Sequence, residues 1–463
     1  MSTTIEPTVA THLLGYLTKA RWFAGKGRTP ELVGVRPLPW LHEPGSWPAV
    51  RFEVAEVRYR SDAASDPGSA ELYQLAVSYW PEPQPRLSAA EIGPVDDHEL
   101  GPVRAHDAMQ DPAACRLVLQ RLLKQSEICA DGARVGFHLV AADALSTDLE
   151  PRMHTGQQSN TSVMYGETAM LKLFRRLELG HNLDIEVHES LSRSGVGDVA
   201  RLYGWVEASW PAGSPGSPCL TADLAMVVEK LPQAQDGWDL ALDTIRSGDS
   251  FATLAADLGR ALAEIHAALR RSFPTSVADG QQIAEVMSRR LADAASIAPT
   301  LQPHLVGLQR CFRAISGGRL ATQRVHGDFH LGQTLFTPGG WKIIDFEGEP
   351  VKSLAERSEP DSVWRDIAGM LRSFDYAAAS VPGPDSRTWA EDCRTSLLQG
   401  YLGRSPQTGE EAVLNAYLAD KAVYEVVYET RNRPDWVDIP LGAIEAIASP
   451  RSTESAPAEQ VKE

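Results

Sequence analysis

The most informative part of this sequence is a pair of polar motifs, VHGDFHLGQ at residues 325–333 and WKIIDFE at residues 341–347. Phosphoryl transfer needs a carboxylate near the acceptor hydroxyl and further oxygen ligands that hold Mg²⁺ on the nucleotide phosphates. We predict that Asp328 accepts the proton and that Gln333 and Asp345 bind the metal. Taken alone, each motif is equally compatible with an ordinary turn or with a strand that ends in a solvated acid.

A second group of polar residues lies upstream, around an apolar strand that contains Lys172. A strand lysine can contact nucleotide phosphates while a helical glutamate orients it, and Glu186 lies on a predicted helix. The turn before the strand is suited to cap the phosphates through backbone N–H groups and the polar side chains of Ser159, Asn160 and Thr161. No GxGxxG sequence is present. The alternative for Lys172 is a solvated side chain in an edge strand.

The segment VVEKLP at residues 227–232 is predicted to end a strand between two lobes. A backbone linker of this kind can hydrogen-bond the edge of an adenine ring. We therefore predict nucleotide contacts at Glu229 and Leu231, with an ordinary strand exit as the alternative.

The overall composition limits the class of protein and of partner. A chain of 463 residues suggests about three units at roughly 150 residues each. Its 61 acidic and 44 basic residues give a net charge of −17, which repels a phosphate backbone or an anionic bilayer. A small-molecule partner is therefore expected, rather than nucleic acid or membrane. Five scattered cysteines without a CxxC pair, and the lack of a long apolar segment, indicate a cytoplasmic protein.

Hydrophobic periodicity divides the chain into a β-rich first half and a helical second half. Short alternating apolar runs at residues 33–79 predict a small antiparallel sheet, and a second β-rich block is predicted at residues 137–229. Apolar residues at helical spacing predict helices at residues 111–126, 183–194, 251–269, 388–402 and 412–431. The predicted fold class is therefore α+β.

Several motifs together resemble one known family. They resemble the catalytic and metal loops of the aminoglycoside phosphotransferase and protein-kinase-like fold, whose motifs are HGDxHxxN and IDxE. Most members of that fold have Asn at the position of Gln333. The narrower resemblance is to the bacterial maltokinase-like family, over residues 157–441 and at ARWFAGK, residues 20–26. The other matching stretches are QSNTS, LKLFRR, DIEV, IDFEGEP, RDIAGMLRSFDYAA and DKAVYEVVYETRNRPDW.

This resemblance implies a bilobal, eukaryotic-protein-kinase-like fold, with ATP and Mg²⁺ as cofactors and a sugar as the phosphate acceptor. It leaves open whether the protein is a monomer or a homodimer. The expected domains are an N-terminal β-rich cap at 1–98, a helical connector at 99–135, a nucleotide-binding N-lobe at 136–232, a mostly helical catalytic C-lobe at 233–449 and a disordered tail at 450–463.

The identity of the sugar is suggested by a departure near the C-terminus. Maltokinases usually read WLPIPL, whereas this chain reads WVDIPL at residues 436–441. Asp438 adds a carboxylate suited to the ammonium of an aminosugar, because a charge-assisted hydrogen bond is roughly twice as strong as a neutral one. The chain thus resembles the glucosamine kinase branch, which makes glucosamine 6-phosphate. The alternative is that Asp438 faces solvent.

The helix predicted near residues 417–431 is expected to face the sugar. Lys421, Tyr424 and Glu425 share one side of it through their i, i+3 and i+4 spacing. Tyr424 and Trp436 are suited to an aromatic face for the sugar ring. The alternative is that some of these residues belong to the core or form ion pairs on a solvated face.

Two rival functions stay open. The first is maltokinase activity at the anomeric hydroxyl of maltose. The second is a non-catalytic, pseudokinase-like binding protein. The presence of a full set of predicted catalytic and nucleotide-binding side chains argues against the second rival, because a degenerate kinase usually lacks one of them.

Overall fold

The computed structural model describes residues 7–59, 70–154, 160–212, 218–349 and 352–449. Ser159 and the predicted tail at 450–463 lie outside the described residues. The chain forms two compact units that divide between Gln233 and Ala234, next to the end predicted for the nucleotide-binding lobe. Strands dominate the first unit and helices the second, so the predicted α+β class is confirmed.

The first unit begins with a sheet beside one helix. Its elements are α1 (Pro7–Lys19), β1 (Pro30–Pro37), β2 (Ala49–Tyr59), β3 (Glu71–Trp80), β4 (Glu91–Asp97) and β5 (Gly101–Asp107), with 3₁₀ turns at Pro85–Ala90 and Ala108–Gln110. The strands pair antiparallel in the order β1-β2-β3-β5-β4. Alternate residues of β2 and β3 pack with α1 into one apolar core. Because β5 belongs to this sheet, the cap sheet continues past the boundary predicted at residue 98.

A second sheet follows in the same unit. Its elements, with the helices between them, are α2 (Pro112–Leu123), β6 (Glu127–Ala130), β7 (Ala133–Leu139), β8 (Pro151–Met153), β9 (Thr161–Tyr165), β10 (Ala169–Leu173), β11 (Arg176–Leu177), α3 (Leu183–Arg193), β12 (Leu202–Pro211) and β13 (Cys219–Glu229). Seven strands run in the order β6-β7-β12-β13-β10-β9-β8, and β11 instead pairs with β3 of the cap sheet. One apolar core joins the two sheets with α2, so the cap and the second sheet are packed as one body.

The second unit is mostly helical. Its elements are β14 (Gln235–Asp236), α4 (Gly237–Ser247), α5 (Ala252–Ser272), β15 (Ser276–Asp279), α6 (Gly280–Ile297), α7 (Leu305–Arg313), β16 (Arg319–Thr322), β17 (Thr334–Thr337), β18 (Gly340–Ile343), α8 (Leu354–Ser358), α9 (Trp364–Ser380), α10 (Ser386–Leu402), α11 (Thr408–Asn432) and α12 (Asp438–Ala448), with 3₁₀ turns at Pro299–His304, Leu331–Gln333 and Pro434–Trp436. The helices predicted at residues 251–269, 388–402 and 412–431 correspond to α5, α10 and α11, which the structure extends at one or both ends.

Two glycines permit close packing of helices in the second unit. A Cβ on Gly400 of α10 would collide with the backbone of Ala256 in α5. A Cβ on Gly369 of α9 would collide with the carbonyl oxygen of Phe329. The absence of a side chain at Gly369 therefore lets α9 lie directly against the loop that contains His326, Gly327 and Asp328, here called the HGD loop.

No helix in the described part of the chain is long and apolar enough to cross a membrane. All five cysteines lie in that part, and none of them forms a disulfide bond there.

Candidate active site

The HGD loop is held by a buried aspartate, Asp366, in the first turn of α9. Its carboxylate accepts hydrogen bonds from the backbone N–H groups of His326 (2.7 Å) and Gly327 (2.8 Å). His266 of α5 donates to the same carboxylate at 2.9 Å. Although burial opposes ionisation, the bonds from His266 and the backbone lower the pKa of Asp366 below its usual value. A buried, ionised carboxylate therefore fixes the loop that carries Asp328.

His326 joins this loop to the segment that carries Asp345. Its Nε2 donates to the carbonyl oxygen of Ile344 at 3.0 Å, and its ring packs against Phe329 and Phe346, with centroids 5.4 and 4.8 Å away. These buried contacts pack the two polar motifs against each other.

The two predicted metal ligands, Gln333 and Asp345, lie side by side. Gln333 Nε2 is 3.1 Å from Asp345 Oδ2, and the backbone of Ile344 donates to the carbonyl of Gln333 at 3.1 Å. Asp345 has a φ of 69°, in the left-handed region that is uncommon outside glycine and that often marks functional sites. A carboxylate oxygen of Glu347 lies within 4.8 Å of one of Asp345.

This group fits a hard divalent cation, because it presents the Oε1 of Gln333 and two carboxylates as oxygen donors. Glu347 was missed as a candidate ligand by the sequence reasoning. Its position two residues after Asp345 in the same motif was the available signal.

Asp328 forms an ion pair with Lys421 of α11, with 3.4 Å between Oδ1 and Nζ. Burial favours the neutral amine, but the carboxylates of Asp328, Glu349 and Glu425 together raise the pKa of Lys421 above its usual value. Lys421 is therefore positively charged at neutral pH. The structure thus brings a residue predicted to bind substrate directly to the predicted base.

A cavity of about 300 Å³ opens beside Asp328 in the second unit. This volume is at the lower end of the roughly 300–1,000 Å³ range of small-molecule sites. Three of the predicted substrate residues, Asp328, Lys421 and Tyr424, line it. Charged residues that sequence reasoning did not select line it as well: Arg290, Asp293, Glu349, Lys352, Arg365 and Asp420.

Arg365 organises one wall of this cavity. Its guanidinium donates to the carbonyl oxygen of Gly327 (3.0 Å), to Asp361 (3.0 Å) and to Glu349 (2.7 Å). Burial opposes its charge, but Asp361 and Glu349 raise the pKa of Arg365, which stays protonated. The same side chain therefore holds both the HGD loop and a cavity carboxylate in place.

The other three predicted substrate residues are not among the described residues that line this cavity. Glu425 is buried and accepts a hydrogen bond from Arg372 of α9 at 2.8 Å. Trp436 stacks on Tyr376, with ring centroids 6.2 Å apart and an interplanar angle of 20°. Asp438 is exposed at the first position of α12. A contact of these three residues with the acceptor stays a prediction.

In the first unit, Lys172 lies in β10, an interior strand between β9 and β13, so it is not the edge-strand lysine of the alternative interpretation. Its Nζ is 3.1 Å from Asp184 Oδ2 in the first turn of α3. The predicted partner, Glu186, lies two residues further along this helix. Sequence reasoning missed Asp184, because which residue of α3 faces Lys172 depends on how the helix is rotated in the fold. The Asn182 side chain caps this helix and accepts from the Asp184 backbone at 2.8 Å.

The turn predicted to cap the phosphates is described only in part. Asn160 and Thr161 are described, and Thr161 is the first residue of β9. The Thr161 hydroxyl accepts a hydrogen bond from Nε of Arg175 at 2.7 Å. Within the described residues, this turn is therefore tied to a buried arginine just after β10.

The predicted adenine linker leaves β13. The backbone N–H of Glu229 donates at 2.8 Å to the carbonyl oxygen of Arg201, the residue just before β12. The N–H of Leu231 donates no hydrogen bond to another described residue. This leaves one backbone donor at the point where a nucleotide base was predicted.

Comparisons with known proteins identify the family. The model described as "Phosphotransferase enzyme family" matches residues 166–402, and the one described as "Maltokinase N-terminal cap domain" matches residues 16–111. A glucosamine kinase of Streptacidiphilus jiangxiensis is 30% identical over 317 residues, which cover 61% of this chain and 70% of that protein. One of Mycolicibacterium smegmatis is 28% identical over 324 residues, 63% of this chain and 78% of the relative.

Solved structures give the same fold. A structure described as glucosamine kinase in complex with glucosamine, ADP and inorganic phosphate aligns with a TM-score of 0.64 at 21% identity, over 94% of this chain and 98% of its own. A second crystal form of a glucosamine kinase aligns with a TM-score of 0.65 at 22% identity. The predicted protein-kinase-like fold is confirmed, and the phosphotransferase model covers more than half of the chain. The chain therefore belongs to the phosphotransferase enzyme family and is an ATP-dependent phosphotransferase.

Proposed function

We propose that this enzyme transfers the γ-phosphoryl group of ATP to the 6-hydroxyl of glucosamine, giving glucosamine 6-phosphate and ADP. The observation that carries the proposal is the small charged cavity that contains Asp328. The two curated relatives described above, both glucosamine kinases, support the choice of acceptor.

Asp328 is the proposed base. Its carboxylate accepts the proton of the acceptor hydroxyl as the oxygen bonds to the γ-phosphorus and the bond to ADP breaks. Lys421, which lies 3.4 Å away, keeps this carboxylate oriented in the cavity. The buried Asp366 keeps the loop itself in place.

Gln333, Asp345 and Glu347 are the proposed ligands for Mg²⁺. When bound, the ion would neutralise charge on the phosphates of ATP during transfer of the γ-phosphoryl group. We propose that two features hold the phosphates. The first is Lys172, which Asp184 orients. The second is the turn at residues 159–161. The backbone at Glu229 and Leu231 is proposed to bind the adenine edge.

The ammonium of glucosamine needs an acceptor of its own in the cavity wall. Among the described wall residues, Asp328, Glu349 and Asp420 are each paired with a cation, whereas Asp293 on α6 forms no ion pair. Asp293 is exposed, so its contact with an ammonium would be solvent-screened and modest. We therefore propose Asp293 as the ammonium contact, and Asp438 remains the candidate from sequence.

Maltokinase activity is the second candidate function, and the match of residues 16–111 to a maltokinase cap domain favours it. A neutral disaccharide would form no ion pair with Asp293. The two functions therefore differ in the acceptor, while the phosphate donor and the base are the same.

The test is a substrate panel with the purified full chain. ADP release is measured with ATP and Mg²⁺ and with glucosamine, glucose or maltose as the acceptor, and the product is identified by mass spectrometry and NMR. We expect the highest kcat/KM for glucosamine, phosphorylation at the 6-hydroxyl and loss of activity in EDTA. A preference for maltose with a 1-phosphate product would establish the second candidate. ADP release that no acceptor stimulates would reject both.

A further inference from the structure

A buried histidine of α3, His188, contacts the carboxylate that orients Lys172. It lies one helical turn after Asp184, so the two side chains share one side of the helix. The Nδ1 atom of His188 is 3.0 Å from Oδ1 of Asp184 and 2.9 Å from the Asp184 carbonyl oxygen. Because a carbonyl oxygen can only accept a hydrogen bond, Nδ1 carries a proton. His188 is therefore a hydrogen-bond donor to Asp184.

The two carboxylate oxygens of Asp184 face different partners. Oδ2 accepts from Nζ of Lys172 at 3.1 Å, whereas Oδ1 faces Nδ1 of His188. A buried carboxylate is costly unless its charge is paired and its oxygens accept hydrogen bonds. Lys172 meets the first requirement, and His188 contributes to the second. Since each oxygen has its own partner, rotation of the carboxylate is restricted and Oδ2 stays directed at Lys172.

The exposure of the three side chains separates their tasks. The side chains of Asp184 and His188 are each 3% exposed, whereas that of Lys172 is 17% exposed. A ligand that arrives from solvent therefore meets Lys172 and not His188. The Nζ atom of Lys172 also lies 5.8 Å from the ring centroid of Phe174, on the same strand segment. Any effect of His188 on a phosphate must therefore pass through Asp184 and Lys172.

We infer that His188 is a positioning residue for ATP: it holds the Asp184 carboxylate, which in turn holds Lys172 in place for the phosphates. The inference rests on the proposed function, because that function assigns phosphate binding to Lys172. It extends the pair of Lys172 and Asp184 to a series of three side chains on β10 and α3. His188 thus affects the use of ATP and has no part in recognition of the acceptor.

The decisive variants change the donor at position 188. His188→Leu removes it with little change of volume. His188→Asn places an amide N–H close to the position of Nδ1, whereas His188→Gln carries its amide further out, close to the position of Nε2. His188→Gln also serves as the second variant should His188→Leu fail to fold. Leu191→Ala is the matched control, because it removes a fully buried apolar side chain from the same helix.

The measurements are the Kd of ATP by calorimetry, the KM of ATP and of glucosamine, kcat and the thermal midpoint. Loss of one hydrogen bond that positions a ligand-binding side chain is expected to weaken ATP binding about three- to tenfold. We expect His188→Leu and His188→Gln to raise the Kd and the KM of ATP by this factor. The KM of glucosamine should stay within about twofold. His188→Asn should restore most of the ATP affinity, and Leu191→Ala should lower only the thermal midpoint.

A double-mutant cycle separates an effect through Asp184 from a general effect on the fold. In the Asp184→Asn variant, the carboxylate that His188 holds is absent. We therefore expect His188→Leu to change the Kd of ATP by less than about twofold when it is added to Asp184→Asn. The same three- to tenfold loss with and without the carboxylate would show that His188 acts independently of Asp184, and it would overturn the inference.

Lys172→Met distinguishes this inference from the proposed function. If the wild type neither binds ATP nor transfers phosphate, or if Lys172→Met binds ATP like the wild type, the proposed function has failed at this lysine and the inference falls with it. If Lys172→Met weakens ATP binding but His188→Leu and His188→Gln do not, this inference alone has failed. An equal rise in the KM of both substrates, or a change in the thermal midpoint alone, would also overturn it.

Discussion

The HGD loop of the second unit and the start of β9 in the first unit, where we propose that phosphates bind, are held by different kinds of contact. The loop receives a single buried anion, Asp366, which binds two successive backbone N–H groups. At the start of β9, the contacts run through three side chains: Arg175 donates both to Asp107 and to the Thr161 hydroxyl.

This difference shows which contacts a sequence motif can predict. Around the HGD loop, the polar residues of two short motifs are themselves neighbours in space, as Gln333 and Asp345 are. Around Thr161, the partners come from α1, β5 and the segment just after β10. A pattern within one segment does not reveal such partners, because they are set by the packing of separate elements.

The largest effect that separates the two regions is expected from Asp328→Asn. This change removes the proton acceptor and keeps the shape of the side chain, so kcat should fall about 10²–10⁴-fold. ATP affinity, which we assign to the other region, should stay within about twofold of the wild type. Steady-state kinetics and calorimetry with ATP check both parts. A variant that keeps more than about half of the wild-type kcat would remove Asp328 from its role.

Asp366→Asn tests whether one buried anion holds the HGD loop. The amide would turn an N–H donor toward backbone donors, so we expect a loss of about 2–4 kcal/mol in the free energy of unfolding and a lower kcat. The pKa of Asp366 is lowered in the folded state. The ionised Asp366 therefore stabilises the folded protein at pH values above its unfolded pKa of about 4. This stabilisation is lost as the pH falls through the lower pKa that Asp366 has in the folded protein.

Denaturant titrations of the wild type and the Asp366→Asn variant at several pH values measure this effect. The difference in unfolding free energy should be largest near neutral pH and should shrink below about pH 4. His266→Gln, which keeps a donor near the carboxylate, is the matched control and should cost less. A difference that does not change with pH would show that the carboxylate is not ionised in the folded protein.

Asp345→Ala tests the proposed metal site and should act on all acceptors equally. Deleting one hard oxygen ligand should weaken Mg²⁺ binding, so we expect the Mg²⁺ concentration for half-maximal activity to rise about 10–100-fold. Excess Mg²⁺ should then restore part of the activity. Gln333→Asn is the matched control, because it keeps an amide oxygen of the kind that most of the family uses. An unchanged Mg²⁺ titration for Asp345→Ala would exclude Asp345 as a ligand.

Asp293→Asn should produce the smallest effect, and only with an aminosugar. Because Asp293 is exposed, its contact with the ammonium of glucosamine is expected to contribute about 0.2–1 kcal/mol to kcat/KM. The ratio of kcat/KM for glucosamine to that for glucose should fall by up to about fivefold. Asp438→Asn is the comparison variant, and we expect no change in this ratio, because Asp438 is not among the described residues that line the cavity. A selective loss for Asp438→Asn instead would establish the role predicted from sequence.

The fold was largely predictable. The helices at residues 111–126, 183–194 and 388–402 were predicted close to α2, α3 and α10, because their apolar periodicity lies within single segments. The cap boundary at residue 98 was less accurate, since β5 joins the cap sheet by pairing with β3 and β4. Strand pairing between segments leaves no periodic signal in either of them.

The sequence by itself supplied the candidate residues of the site: Asp328 as the proposed base, Gln333 and Asp345 as proposed oxygen ligands, and Lys172 in a strand. These follow from residue types and short spacings along one segment. The helical spacing also placed Lys421 and Tyr424 on one side of α11.

Only the tertiary structure decided which side chains meet. Glu425 contacts Arg372 and Lys421 contacts Asp328. Glu425 and Lys421 therefore have different partners, although they lie one turn apart on α11. The tertiary structure also placed Asp184 against Lys172. The physical reason is that these contacts join elements far apart in sequence, so they depend on how each helix is rotated and where its cap starts it. No local pattern encodes that rotation, because it is set by the packing of the whole core.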